Sequence, residues 1–125
     1  MIPAQIAEIC HEANRIYCES LGDCTQTLWE VAPEWQKKSA VEGVRFHLAN
    51  PNATPEDSHK EWLKTKEAEG WKYGEIKDVQ KLEHPCMVPY GDLPSEQKVK
   101  DSLFLGIVNI LRDQVDGDQE EGETR

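Results

Sequence analysis

At 125 residues, with 38% apolar and 30% charged side chains, the chain is one domain's worth of sequence, long enough to bury a core. Its formal net charge of −10 repels nucleic-acid phosphates at long range, so nucleic-acid binding is not expected. No run of about 18 apolar residues is present to span a membrane, and Met1-Ile2-Pro3-Ala4 lacks the basic start of a secretion signal. These features point to the cytoplasm and to no membrane partner.

Residues 4–21 place Ile6, Ile9, Cys10, Ala13, Ile16 and Tyr17 at helical spacing, with Pro3 in the first turn and Leu21-Gly22 as the stop. Trp29, in the connection that follows, is expected to plug the core. A second helix over 33–49 starts at Pro33-Glu34, turns Val41, Val44 and Leu48 inward, and ends at Asn50-Pro51. Gly43 weakens that helix by roughly 1 kcal/mol relative to Ala, which implies close packing against a neighbour. Thr54-Pro55-Glu56-Asp57 is a strong start for a third helix, over 55–69, with Gly70 just past its end. His59, Trp62 and Leu63 share one face of it, while Lys60, Glu61, Lys64 and Glu67 solvate the rest. Trp71-Lys72-Tyr73 alternates like a short strand, and Asp78 to Glu83 fits one or two helical turns. The residues before Pro85 and Pro89 must be extended, so residues 71–73 and 86–88 are expected to run side by side as a small strand pair. Ser95 is the expected cap of a last helix, 95–112, whose face of Val99, Leu103, Phe104, Ile107, Ile110 and Leu111 makes it the central core helix.

The expected fold is therefore mainly α: four helices packed as helical hairpins, with a long ordered loop holding a short two-stranded pairing. Residues 1–112 are read as a single globular domain. Residues 113–125 carry six acids against Arg125 alone, with Val115 as their one apolar side chain, and such a segment is expected to be a disordered acidic tail. Cys10, Cys18, Cys24 and Cys86 form no CxxC pair. A Cys10, His11, Cys18, Cys24 metal site is the alternative weighed and set aside, leaving reduced thiols, no metal and no cofactor as the expectation.

The 23 residues from Trp71 to Leu93 fit neither helical nor strand period, although structureless connections beyond about 12–15 residues are uncommon in compact domains. Their aromatics and prolines argue for order. The same stretch carries a specific pattern: His59-x-x-Trp62, then Gly70-Trp71-x-Tyr73-Gly74, then Lys81-x-x-His84-Pro85-x-Met87-Val88-Pro89-Tyr90-x-x-Leu93-Pro94, then Asp101. It resembles the repeat domain of ryanodine receptors, with the likeness thinning outward over residues 33–112. The channel carries tandem repeats, whereas this chain has one copy, in the manner of the free-standing modules of prokaryotic and phage proteins. The resemblance implies a non-catalytic module of helical hairpins and short strands, a recognition or sensor role, and nucleotide-derived ligands as a suggested class.

From the residues themselves, Trp62, Trp71, Tyr73 and Tyr90 offer flat faces, and Lys72, Lys81 and Lys98 offer cations near them in sequence. Gly74 and Gly91 would let a ligand approach the backbone. His59 and His84 flank the loop, and hydrogen bonds to backbone carbonyls that pin it are their expected work. This set suits a small anionic, nucleotide-like ligand: a base stacks and phosphates meet lysines. The competing reading takes the tryptophans as core, the lysines as a solvated face, and the module as a structural or protein-interaction domain with no small ligand. No GxSxG, HExxH, P-loop or dinucleotide fingerprint is present. Acid–base catalysis by His59 or His84 is the third and least favoured reading.

Overall fold

Four helices carry the chain: α1 (Pro3–Ser20), α2 (Glu34–Ala49), α3 (Pro55–Ala68) and α4 (Ser95–Leu111). The structure is a computed structural model and describes residues 1–116. The helix limits follow from local chemistry. Gln5 Oε1 accepts the Ile2 N–H at 2.9 Å ahead of Pro3. α1 then closes on Gly22 at φ 90°, with the Asp23 N–H donating to the Cys18 carbonyl. In α3 the Thr54 hydroxyl accepts the Asp57 N–H, and the Asp57 carboxylate accepts the Thr54 N–H, at 3.2 and 2.9 Å, a reciprocal cap. Its other end turns at Gly70, φ 97°, where the N–H groups of Gly70 and Trp71 donate to the carbonyls of Glu67 and Lys66. Ser95 is the first residue of α4 rather than its cap, and the Gln97 and Lys98 N–H groups donate to the Pro94 carbonyl. Among the described residues no helix is long and apolar enough to cross a membrane.

The chain packs as two compact units. One comprises residues 1–52 and the chain from Leu103 onward; the other comprises Ala53–Ser102. In the first, α1 pairs with α2, and Ile6, Ala7, Cys10, Val44 and Val108 form the buried centre. Trp29, Val41, Leu48, Phe104, Ile107 and Leu111 pack around it. Gly43 is explained there: a Cβ at that position would sit 3.1 Å from Phe104 Cζ. Two helical faces are rotated from their expected positions. In α1 the buried arc runs through Ala7, His11 and Cys18, leaving Ile9 and Ile16 exposed; in α4 it centres on Val108 and takes in Leu105, leaving Val99 exposed and Ile110 78% exposed. Both helices are apolar around more than one face, so spacing alone does not centre the arc. The tail expected over 113–125 falls partly on described residues: Arg112–Gln114 form a 3-10 turn, Val115 packs on the core, and the Asp116 N–H donates to the Met1 carbonyl. The rest of that expectation, residues 117–125, lies outside the described residues.

In the second unit the loop contains two parallel strands of two residues each, β1 (Lys72–Tyr73) and β2 (Glu83–His84), with Tyr73 in register with His84. β1 lies where expected. The partner strand does not lie at 86–88, because a tight turn returns the chain earlier. Residues 78–83 form this turn instead of a helical one: Asp78 and Glu83 exchange backbone bonds at 2.9 and 3.0 Å, Asp78 Oδ1 accepts the Lys81 N–H, and Leu82 adopts φ 56°. After β2 the Cys86 N–H folds back onto His84, and a 3-10 turn, Tyr90–Asp92, leads into α4.

Candidate binding site

α3 presents an unusual inner face to its own unit. Its two buried side chains are His59 and Lys66, with Trp62 between them at helical spacing. Burying ionisable groups costs free energy unless partners compensate, and each has partners. His59, 3% exposed, donates from Nε2 to the Val88 carbonyl at 2.7 Å, which puts the proton on Nε2 and pins the loop as expected. Its ring stacks on Trp62 with centroids 5.5 Å apart and planes 20° apart, and it meets Tyr90 at 6.2 Å. Lys66 Nζ lies 3.3 Å from Glu69 Oε1.

The loop supplies the opposite wall. The Gly70 turn drops Trp71 directly into the interior, and β2 sets His84 edge-on to both Trp62 and Trp71, at 5.2 and 6.1 Å. His84 Nδ1 accepts the Cys86 N–H at 2.9 Å. This bond requires Nδ1 to be unprotonated, so the neutral ring carries its proton on Nε2. The role differs from the expected one, since His84 accepts an N–H where a carbonyl partner was foreseen. Burial holds its pKa down to about 4, with the charges of Lys77, Lys100, Lys66 and His59 acting the same way. Burial pushes the Asp101 carboxyl up to about 7 against the pull of Lys100, and raises the Cys86 thiol.

The expected site residues are therefore largely brought together. His59, Trp62, Trp71, His84 and Tyr90 form one continuous set of ring contacts, and Lys98 Nζ lies 5.4 Å above the Tyr90 ring. Tyr73 stands beside His84 in the strand register but is 54% exposed. Lys81 sits on the exposed 78–83 turn, where its backbone N–H, bound to Asp78, is the contact seen. Gly74 does not leave room for a ligand, because Glu83 Cβ would lie 2.6 Å from any Cβ there; around Gly91 that space is open. Lys66, Lys77, Lys100 and the titrating Asp101 were not read as site residues from the sequence. For Lys66 a signal was present, since it follows Trp62 by four positions and His59 by seven and so shares their face.

Among the described residues no group of three or more His, Cys, Asp or Glu side chains is placed to hold a metal ion. His11, foreseen as a conceivable ligand, bonds the Thr27 carbonyl through Nε2 at 2.6 Å and packs edge-on to Trp29. The aromatic, histidine and lysine positions of the second unit fall inside the segment matched by a known family model, which is narrower than the 33–112 span of the resemblance. That model is the RyR domain, which matches residues 47–105 of this chain.

Proposed function

We propose that the second unit is a non-catalytic recognition module for a small anionic ligand with a planar ring, of the nucleotide type. The observation that carries this reading is the inner face of α3: a buried histidine and a buried lysine on either side of Trp62, met by Trp71, His84 and Tyr90. A domain that needed only a core would place aliphatic side chains there, since buried ionisable groups are rare unless paired. Rings and cations held together suit a ligand that stacks and carries negative charge. Both histidines are already engaged with the backbone, which favours scaffolding over acid–base chemistry.

Thermal denaturation of the full chain with AMP and with adenosine tests the reading. AMP should raise the melting temperature, by the equivalent of roughly 2.7 kcal/mol at a hundredfold excess over Kd, and adenosine should raise it less. An unchanged melting temperature with AMP at millimolar concentration would overturn it. The alternative, a protein-interaction module, draws on Tyr73, Ile76 and Val79, which are exposed on and just after β1. It predicts that Ile76→Ser alters partner capture and leaves small-molecule binding absent.

A further inference from the structure

A small anion needs a cation to meet it, and the lysines of the second unit differ in what surrounds them. Lys81 is exposed and Lys98 lies over the Tyr90 ring. Lys66 is only 4% exposed, on the face of α3 that carries His59 and Trp62. An ammonium taken out of water is tolerated where a counter-charge compensates, and Glu69 supplies one from the C-terminal cap position of α3, Oε1 to Nζ 3.3 Å. The two partners are not equivalent. The Lys66 side chain is 5% exposed and that of Glu69 is 40% exposed, so a half-exposed carboxylate meets a buried charge.

The geometry points to Lys66 as the anion-binding residue of this site, with Glu69 as a resident counter-ion that the phosphate of a phosphomonoester ligand replaces. The inference rests on the anionic-ligand reading above and adds which cation is used and what must leave it. Replacement favours a phosphate over the resident group. A phosphomonoester carries more than one negative charge near neutral pH and three strong acceptor oxygens, against one carboxylate. Lys77, which is exposed, and Lys100, which is half-buried, add positive potential at His84 together with Lys66. Release of Glu69 returns to water a carboxylate whose side chain is already 40% exposed, and the incoming phosphate keeps the buried Lys66 ammonium paired.

Calorimetric titration of AMP and adenosine into the full chain, as wild type, Glu69→Gln and Lys66→Met, tests this directly. Glu69→Gln removes the competing carboxylate and should tighten AMP by about two- to fivefold while leaving adenosine unchanged. Lys66→Met should weaken AMP by more than about tenfold, the loss of a buried charge-assisted bond. The methionine is apolar and of similar length, and the Glu69 carboxylate it leaves behind is 40% exposed and free to turn to water; should the protein fail to fold, Glu69→Gln still decides. AMP binding to wild type that Glu69→Gln weakens or leaves unchanged overturns the role of Lys66 and Glu69 while the ligand reading stands. Absence of AMP binding to both wild type and Glu69→Gln overturns the ligand reading and this inference with it.

Discussion

His84 and Asp101 show how burial acts in opposite directions on a base and an acid. The histidine is moved from 6.5 to about 4, so it stays neutral in the fold over a range where the unfolded chain takes up a proton. Its contribution to stability is present above pH 6.5 and is lost as pH falls towards 4. The carboxyl is moved from 3.8 to about 7, so its contribution is present below 3.8 and is lost as pH rises through 7. Between about 4 and 6.5 the two slopes oppose each other and nearly cancel. Asp101→Asn should therefore unmask the histidine: relative to wild type, its stability should rise with pH across that window, by at most about 1.4 kcal/mol per pH unit. His84→Asn should show the reverse, a stability that falls with pH relative to wild type. Urea denaturation of the three proteins at several pH values checks both. Curves whose differences from wild type are independent of pH would show that neither group is held as described. The groups around them are Lys66, Lys77, Lys100 and His59 for His84, and Lys100 for Asp101.

Two glycines decide the geometry between α3 and β2. Gly70 holds φ 97° to end the helix, and a side chain there is strained whatever the space around it. Gly74 has a different reason: an added Cβ would meet Glu83 Cβ at 2.6 Å and Oε1 at 2.9 Å, and the Cβ cannot swing aside as the carboxylate can. Gly70→Ala should cost about 1–2 kcal/mol, and Gly74→Ala about 1–3 kcal/mol through displacement of β2, both read by denaturant midpoint. A Gly74→Ala protein of wild-type stability would mean that the strands are not paired as described. Capping chemistry made these elements legible in the sequence, since Thr54-Pro55-Glu56-Asp57 and the glycines at 22 and 70 mark helix ends by local rules. Which way a helix faces is set by neighbours distant in sequence, and there Ile9, Ile16 and Ile110 misled. Likewise the grouping of His59, Trp62, Trp71, His84 and Tyr90 was readable, because their types and their closeness in sequence set them apart from the charged residues around them. The return of the chain at Leu82 was not, because a non-glycine residue at φ 56° leaves no mark in the sequence pattern. Lys66 was passed over because a lysine among lysines and glutamates reads as solvated until its face is known.

At the scale of the molecule, the proposed anionic ligand meets an acidic chain, and the placement of charge reconciles the two. Eight of the fourteen basic residues lie within 53–102, all of them lysines, against eleven acids, a net of −3 out of −10. Long-range repulsion and short-range attraction therefore act on the same ligand, and salt separates them. Exposed charges are screened beyond about 10 Å at 0.1 M salt, whereas a buried pair is screened far less. If phosphate meets the buried ammonium of Lys66, AMP affinity should change by less than about twofold between about 50 and about 200 mM KCl. A short DNA duplex should not bind at either concentration, because the net charge opposes it and a phosphate held inside the unit cannot belong to a continuous backbone. AMP affinity falling tenfold or more over the same range would place the anion on exposed lysines such as Lys72, Lys77 or Lys81. Titrations at four salt concentrations, with the Lys81→Ala protein alongside, distinguish the two: the buried site predicts that Lys81→Ala binds like wild type throughout, and the surface site predicts that it loses both affinity and part of the salt slope.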